Sequence, residues 1–308
     1  MCMIRKAFLY FYLFFFTLLS GSALAEILIA DARGEQVLPQ VPERIVVLNW
    51  DLLEQLLELG VTPVGAPNLP AYREWVVTPQ APAGITDIGT RAEPNLEKIA
   101  ALKPDLILAA SPQKDLVPVL ETIAPVLYLP NFQASDQSAQ VAIAHFRLLS
   151  QVVDKAALAE QKLSELNAHL MMQKQRLHQA FGDALPQVLA MRFANPTSVY
   201  LYTENSTTQY ALRQLGLNTP LPQRDAVWGI AQQRLTALAS IDSAYVLYFL
   251  PFPQRGQVEQ SVLWRALPFV RAGKFNAVRP VWNYGGAMSI RYIADAVTDS
   301  LLEVTAQQ

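Results

Sequence analysis

Histidine and cysteine, the side chains that most often ligate metals or act in catalysis, are scarce in this sequence and poorly spaced for either task. The three histidines, His145, His169 and His178, are scattered along one predicted helical stretch, and the single cysteine is Cys2. The sequence has no His-Glu-x-x-His pair, no Gly-x-Ser-x-Gly elbow and no glycine-rich phosphate loop. These absences argue against the common enzyme classes, and an unrecognised pair of carboxylates is the catalytic arrangement that remains.

Arginine and aromatic side chains beside loops are better candidates for chemistry, because they suit the binding of a ligand. Arg91 lies in GTRAEPN, between a predicted strand and a predicted helix, where it could bind a ligand or pair with Glu93. Trp75, Trp282 and Tyr284 occur in or beside polar or glycine-rich loops, where an aromatic residue is less easily explained as core. This combination of residues predicts a binding site.

The elements that must position these side chains alternate between helices and apolar strands in the first part of the chain. The pattern predicts a β-ribbon at Ile27–Leu38, strands at Ile45–Leu48, Val61–Gly65 and Asp105–Ala109, and helices at Leu52–Leu59 and Asn95–Leu102. Fully apolar strands are typical of parallel sheets that are covered on both faces. The first part is therefore predicted to be an α/β lobe.

A long helical segment separates this lobe from a second one. Leucines up to Leu177 recur at spacings of three, four and seven, and Gly182 ends the pattern. Strand and helix signals then return at Val188–Met191, Val199–Tyr202, Tyr210–Leu215 and Ala244–Leu250. The sequence predicts two Rossmann-like α/β lobes, at 26–153 and 183–308, joined by a long rigid helix at 154–182, with a ligand cleft between the lobes.

The N-terminal residues have the pattern of a cleavable signal peptide. Basic residues precede the apolar run Ala7–Leu19, and a small-residue ending favours cleavage after Ala25, so residues 1–25 are assigned to the signal. The apolar run is too short for a bilayer span, although an uncleaved anchor is the alternative. Cleavage would remove Cys2 and make the formal net charge more negative than −2, which argues against nucleic-acid binding.

Three stretches give the sequence a more specific resemblance. They are VVLNWDLLEQLLELGV, GTRAEPNLEKIAALKPDLIL and LPFVRAGKFNAVRPVWNYGG. They resemble the periplasmic ferric hydroxamate binding proteins of ABC importers, within the wider group that also carries ferric catecholates, haem and vitamin B12. The resemblance runs from about Arg44 to the C-terminus, and it implies two α/β lobes, one rigid connecting helix, a shallow cleft and little hinge closure.

The resemblance also implies which residues line the cleft. These are Trp50, Trp75, Arg91, Trp228, Trp282 and Tyr284. A ferric trihydroxamate is bulky and mostly uncharged, and its oxygens accept hydrogen bonds, so one guanidinium and aromatic walls suit it. A ferric catecholate carries several negative charges and would require several cations. Because the sequence places only Arg91 as a cleft cation, hydroxamate is favoured, while Trp50 and Trp228 could equally be packing residues.

One departure from the family pattern concerns the ligand. Many hydroxamate carriers have a tyrosine that hydrogen-bonds the ligand just after the strand that ends near Ala110, whereas this chain has Ser111-Pro112-Gln113. Gln113 is therefore predicted to contact the ligand through its side-chain amide.

A second departure concerns docking to the permease. Relatives engage permease arginines through one acidic residue on each lobe. Glu97 matches the first position, but the second falls on Gln233, so docking by the second lobe is weakened or uses another carboxylate such as Asp225 or Asp242.

The resemblance predicts a periplasmic protein that captures an iron(III)-hydroxamate siderophore and delivers it to an inner-membrane ABC permease and its ATPase. The iron arrives already chelated, so no cofactor or protein metal site is expected, and the protein is expected to be a monomer. One alternative keeps the fold but changes the cargo to a ferric catecholate, haem or cobalamin. Another alternative is a periplasmic enzyme with carboxylates in the cleft.

Overall fold

The computed structural model describes residues 26–306. The predicted signal peptide, residues 1–25, lies outside them. Within the described part of the chain, no helix combines the length and the apolar character needed to cross a membrane. The described chain begins with the predicted β-ribbon, an antiparallel hairpin of β1 (Ile27–Asp31) and β2 (Gly34–Leu38).

The first lobe is built on a five-stranded parallel sheet with the order β5-β4-β3-β6-β7. Its strands are β3 (Ile45–Val47), β4 (Gly65–Ala66), β5 (Thr86–Asp87), β6 (Leu106–Ala109) and β7 (Val126–Tyr128). Its helices are α1 (Trp50–Glu58), α2 (Leu69–Trp75), α3 (Leu96–Ala101), a 3₁₀ helix (Ser111–Leu116) and α4 (Val117–Leu120). Successive residues of β3 and β6 are buried in two different apolar clusters, which explains why these strands are continuously apolar.

The second lobe is built on a five-stranded mixed sheet with the order β10-β9-β8-β11-β12. Its strands are β8 (Val188–Asn195), β9 (Ser198–Tyr202), β10 (Ile230–Arg234), β11 (Tyr245–Phe249) and β12 (Phe275–Val278). β8, β11 and β12 run parallel, whereas β9 is antiparallel to both of its neighbours. The accompanying helices are α7 (Thr207–Gln214), α8 (Arg255–Gln260), α9 (Val262–Ala266), α10 (Pro268–Arg271) and two 3₁₀ helices (Val227–Gly229 and Leu235–Ser240).

Two helices carry the chain from the first sheet to the second, namely α5 (Ser138–Val152) and α6 (Ala156–Phe181). The leucines of the predicted apolar stripe on α6 are buried, and they belong to an apolar cluster that includes residues of both sheets. The C-terminal helix α11 (Ser289–Ala306) packs along α6 and also contacts α7 and β12. The lobes therefore share a continuous core, which stiffens the connection between them.

The predicted fold class, two α/β lobes with a helical connection, is confirmed. The predicted strand at Val61–Gly65 is wrong in extent, because most of this segment is a connecting loop. The Val61 N–H donates to the Leu56 carbonyl and so ends helix α1, and Pro63 has no N–H to give to a sheet. Only Gly65 and Ala66 pair as a strand, β4.

Candidate ligand-binding cleft

Arg91 lies in a tight loop that leads from β5 to α3. The loop is closed by a backbone bridge between Gly89 and Pro94, and the Glu93 N–H donates to Thr90 Oγ1 at 2.9 Å. Gly89 has a φ of +98°, and a Cβ atom here would lie 3.1 Å from the Glu93 carbonyl oxygen. Glycine is therefore needed for the loop to turn and present Arg91 to the space between the lobes.

The Arg91 guanidinium packs against aromatic rings. Its Cζ lies 4.0 Å from the ring centroid of Trp50 and 5.2 Å from that of Trp282. Within residues 26–306 it makes no salt bridge or side-chain hydrogen bond, so the alternative of pairing with Glu93 is not observed. Burial lowers the pKa of Arg91, the Asp51 carboxyl opposes this effect, and the positive charge of Arg192 adds to it. An arginine stays charged under these conditions, so its N–H donors are available to a ligand.

Two consecutive glycines allow the second lobe to reach helix α1 of the first lobe. A Cβ atom on Gly285 would lie 2.3 Å from a carboxyl oxygen of Glu54, and one on Gly286 would lie 2.2 Å from Gln55 Cγ. Any larger residue would push the segment away from α1. The glycines thus place the preceding tryptophan and tyrosine against the first lobe.

Aromatic rings form a continuous series across the boundary between the lobes. Trp50 of the first lobe meets Trp282 of the second at a centroid distance of 4.9 Å, and Trp282 meets Tyr284 at 5.1 Å. Tyr284 in turn lies edge-on to Phe132 of the first lobe at 6.0 Å. Edge-on aromatic pairs are favourable beyond their buried area, so these rings make a firm apolar wall.

A second cation, Arg192, enters from β8 of the second lobe. One of its terminal nitrogens, Nη2, donates to the Tyr284 hydroxyl at 3.3 Å, and its Cζ lies 5.3 Å from the ring centroid of Tyr200. Its Nε is buried and has no hydrogen-bond partner. No acidic residue of the described chain forms a salt bridge with it. The cleft therefore carries two positive charges.

A backbone hydrogen bond joins the lobes beside the cleft. The Trp228 N–H donates to the Phe132 carbonyl at 2.8 Å, and the two rings stack at 5.7 Å. Both residues have left-handed backbone angles, with φ of +63° and +71°, which cost on the order of 1–3 kcal/mol each. The Asn205 amide holds this region by donating to the carbonyls of Gln133, Ala134 and Ala226. The surrounding contacts thus maintain a conformation that the two residues would not adopt alone.

Together these groups enclose a cavity of about 480 Å³ between the lobes. This volume is in the range of small-molecule sites. The residues that line it come from both lobes, and they are Asn49, Asn68, Thr90, Arg91, Ala92, Pro112, Phe132, Arg192, Trp228, Ile230, Trp282 and Tyr284. This lining combines four aromatic rings and two guanidinium groups with no carboxylate.

Four residues of the predicted set line the cavity, namely Arg91, Trp228, Trp282 and Tyr284. Trp75 is half-buried outside the lining, where its ring packs edge-on against Trp282 at 6.4 Å and lies 5.8 Å from Arg192 Cζ. A contact between Trp75 and a ligand stays a prediction.

The structure corrects two predicted ligand contacts, Gln113 and Trp50. Gln113 is fully buried, because its Oε1 accepts from the Ala110 N–H and its Nε2 donates to the Arg91 carbonyl. Trp50 is buried beneath the Arg91 guanidinium, and its Nε1 donates to the Pro67 carbonyl at 2.9 Å. Both side chains hold Arg91 in place, and neither lines the cavity.

Sequence reasoning missed Arg192 and Phe132. Arg192 lies in VLAMRFAN, and a lone charge inside an otherwise buried apolar strand is a signal that could have found it. No sequence pattern marks Phe132, since its position depends on a left-handed backbone angle that phenylalanine rarely adopts.

The predicted docking residues lie away from the cavity lining. Glu97 is exposed in the first turn of α3, which Asn95 caps by accepting the Lys98 N–H at 2.8 Å. Gln233 lies in β10, and its amide donates to Gln223 Oε1 at 3.2 Å. The docking role of both residues stays a prediction.

Two carboxyl groups of helix α1 are buried behind the aromatic wall. Burial raises the pKa of Asp51 to about 7 and that of Glu54 to about 8. Ser289 Oγ donates to one oxygen of Glu54 at 2.7 Å, while the other oxygen has no partner. Across residues 26–306, no three histidine, cysteine or acidic side chains are grouped so that they could hold a metal ion.

A two-lobed α/β fold with an aromatic, positively charged cavity between its lobes defines a substrate-binding protein. The chain belongs to the periplasmic binding protein family, whose sequence profile matches residues 45–280.

Among its relatives, the iron(3+)-hydroxamate-binding protein FhuD of Escherichia coli is 29% identical over 264 residues, which cover 84% of this chain and 87% of that protein. The Fe(3+) dicitrate-binding periplasmic protein FecB of Escherichia coli is 31% identical over 226 residues, or 71% of this chain and 70% of that protein. The crystal structure of FhuD from Vibrio cholerae with bound Fe³⁺-Desferal has 61% sequence identity and a TM-score of 0.84. The match covers 85% of this chain and 98% of the Vibrio cholerae chain. These relatives are binding proteins.

Proposed function

We propose that this protein captures iron(III)-hydroxamate siderophore complexes in the cavity between its lobes. The observation that carries the proposal is the lining of the cavity, in which Arg91 presents free N–H donors among aromatic rings. The oxygens around the metal of a trihydroxamate complex accept hydrogen bonds, while its organic periphery suits an aromatic wall. The 61% identity with a FhuD that was crystallised with Fe³⁺-Desferal supports the same class of cargo.

The proposal extends to where the protein acts. It is exported to the periplasm through a cleavable signal at residues 1–25, and it works there as a monomer. It delivers the loaded complex to an inner-membrane ABC permease and its ATPase. It is not an enzyme and needs no cofactor of its own, because the iron is cargo that the siderophore already chelates. The absence of a carboxylate among the lining residues supports binding over catalysis.

Intrinsic tryptophan fluorescence gives a direct test. Four of the five tryptophans lie in or next to the cleft, and Trp264 is buried in a separate cluster of the second lobe. A ferric hydroxamate absorbs in the region of tryptophan emission, so binding should quench the fluorescence saturably. The titrated panel contains ferrioxamine B, ferrichrome, ferric enterobactin, ferric dicitrate, haem and cobalamin, and dicitrate is included because one relative is named for it.

Two controls separate specific binding from optical artefacts. The gallium(III) complex of desferrioxamine B has the same shape without the visible absorption, so it should restore the emission by competition. Metal-free desferrioxamine B should neither quench nor compete. A flat response to both hydroxamates together with saturable quenching by ferric dicitrate, haem, cobalamin or ferric enterobactin would contradict the proposal.

A further inference from the structure

The cleft holds a pair of arginines that come from opposite lobes and have no acidic partner. Arg91 is carried by a loop of the first lobe and Arg192 by strand β8 of the second, and both line the same cavity. Neither makes a salt bridge with any residue in the range 26–306. No aspartate or glutamate lines the cavity. Two positive charges therefore face one space without a counter-charge in it.

This arrangement places like charges near each other. Burial has the largest effect in lowering the pKa of Arg91, and Arg192 is close enough for its charge to lower that pKa further. The carboxyl group that acts on Arg91 is that of Asp51, which is buried behind the aromatic wall and has a pKa that burial raises to about 7. Tyr284 accepts a hydrogen bond from Arg192, but burial raises the pKa of this tyrosine, so its hydroxyl stays neutral. A ligand that brings negative charge would relieve the repulsion.

Arg192 also retains unused donors. Its Nη2 reaches the Tyr284 hydroxyl, while its Nε is buried and unpartnered. Its other terminal nitrogen, Nη1, makes no hydrogen bond within residues 26–306, so it can donate to a ligand oxygen in the cavity. A carboxylate matches the planar fork of a guanidinium better than a single neutral oxygen does.

We propose that Arg192 is a specificity residue that makes the cleft prefer ferric hydroxamate complexes bearing a free carboxylate over neutral or cationic complexes of the same size. This inference rests on the proposed function, because it assumes that a ferric hydroxamate occupies the cavity. According to this inference, Arg91 donates hydrogen bonds to the oxygens of the metal centre, and Arg192 binds the anionic group on the periphery of the ligand.

A series of three ligands with one common metal centre tests the inference. Ferrioxamine B carries a pendant ammonium, its N-acetyl derivative is neutral, and its N-succinyl derivative carries a pendant carboxylate. We expect the purified mature protein to bind the succinyl complex about tenfold more tightly than the acetyl complex, and ferrioxamine B most weakly. The preference should shrink as salt is raised from 0.02 to about 0.5 M, because added ions screen partly exposed charges.

Variants assign the preference to one residue. In Arg192→Gln the preference for the succinyl complex should fall below about twofold, while affinity for the acetyl complex changes less. Arg192→Lys keeps the charge and should retain part of the preference. Arg271→Gln removes an exposed arginine of the same lobe and should leave the ranking unchanged. Thermal unfolding of each variant shows whether it folds. If Arg192→Gln does not fold, Arg192→Lys still tests the inference.

The outcomes distinguish this inference from the proposed function. Equal affinities for all three complexes in the wild-type protein would overturn the role of Arg192 and leave hydroxamate binding intact. An unchanged preference in a folded Arg192→Gln protein would also overturn it, and would show that Arg192 only packs against Tyr200 and Tyr284. Failure of all three complexes to bind would overturn the proposed function, and this inference with it.

Discussion

Arg91 combines three properties that a ligand-binding cation requires. Its donors are free of protein acceptors, its flat face is supported by the Trp50 ring at 4.0 Å, and its loop is held by Gln113 from behind. Stacking on an aromatic ring fixes the orientation of a guanidinium without consuming its N–H groups. Arg91 is therefore oriented before the ligand arrives, which reduces the entropy lost on binding.

Replacing Arg91 should weaken binding without unfolding the protein. Arg91→Ala removes a charge-assisted hydrogen bond worth about 1.5–3 kcal/mol, or roughly one to two decades in affinity for ferrioxamine B. Arg91→Lys should recover only part of the loss, because an ammonium keeps the charge but not the planar fork. Fluorescence titration measures the affinity, and thermal unfolding reports on the fold.

The matched control is Arg73→Ala, which removes an exposed arginine of the same lobe and should not change affinity. Unchanged affinity of a folded Arg91→Ala protein would show that Arg91 does not contact the ligand.

The sequence predicted the residues that line the cavity better than the residues that are packed behind them. Arg91, Trp228, Trp282 and Tyr284 could be placed from the sequence because a family resemblance fixes their positions. Gln113 could not, because whether an amide faces a ligand or its own backbone depends on the fold of a loop that propensities do not determine.

At the scale of secondary-structure elements, the contact between helix α1 and the start of helix α11 fixes how the lobes meet. Glu54 of α1 accepts a hydrogen bond from the Ser289 hydroxyl of α11. Glu58 of α1 accepts one from the Tyr292 hydroxyl and forms a salt bridge with Lys162 of α6. Asp51 lies one turn before Glu54, and the charge of Arg91 partly opposes the rise that burial causes in its pKa. Two of these acids have raised pKa values because burial disfavours their charged forms, so the interface is sensitive to pH.

The contribution of Asp51 and Glu54 to stability should therefore decrease as pH rises from about 4 to about 8. Burial raises the pKa of Asp51 to about 7 and that of Glu54 to about 8 in the folded protein, so the folded state binds protons that the unfolded chain releases near pH 4. The stabilising effect is complete below the unfolded pKa values and is lost as pH rises through the folded ones. Each group contributes at most about 1.4 kcal/mol per pH unit in that window. Chemical denaturation at pH 5 and pH 8 measures the loss.

Glu54→Gln should flatten this pH dependence, because a neutral amide of the same shape removes one of the two titrating groups. At pH 8 the variant should be more stable than the wild-type protein. Glu74→Gln, at an exposed position on α2, is the control and should leave the profile unchanged. A Glu54→Gln profile as steep as the wild-type profile would contradict the buried, protonated state of Glu54.

Most elements could be predicted from hydrophobic periodicity, because helices α1, α6 and α7 and strands β6, β8 and β11 all bury clear apolar patterns. The short strand β4 could not, since two residues give no pattern and its pairing is set by its neighbours. The same limit applies to the meeting of α1 with Gly285 and Gly286, which links residues far apart in the sequence.

At the scale of the whole molecule, the continuous core along α6 and α11 and the hydrogen bond between Trp228 and Phe132 join the lobes at separate places. Such a molecule has little freedom to close around its cargo. We expect a permease that receives the cargo to recognise the surfaces of both lobes, because no large closing motion would signal that the cleft is full. The family resemblance predicts that exposed carboxylates on those surfaces pair with arginines of the permease.

The last prediction follows from Glu97, which is exposed on α3 and makes no salt bridge within residues 26–306. Glu97→Ala should reduce uptake of ferric hydroxamate in cells that depend on this protein, yet leave the affinity of the purified protein unchanged, because the side chain lies outside the cavity lining. Gln233→Ala should have little effect, since an amide lacks the ionic part of the contact, whereas Gln233→Glu should strengthen docking. Glu43→Ala, at another exposed acid of the same lobe, is the control. Normal uptake by Glu97→Ala, or a loss of ligand affinity in that variant, would show that Glu97 is an ordinary surface or structural residue.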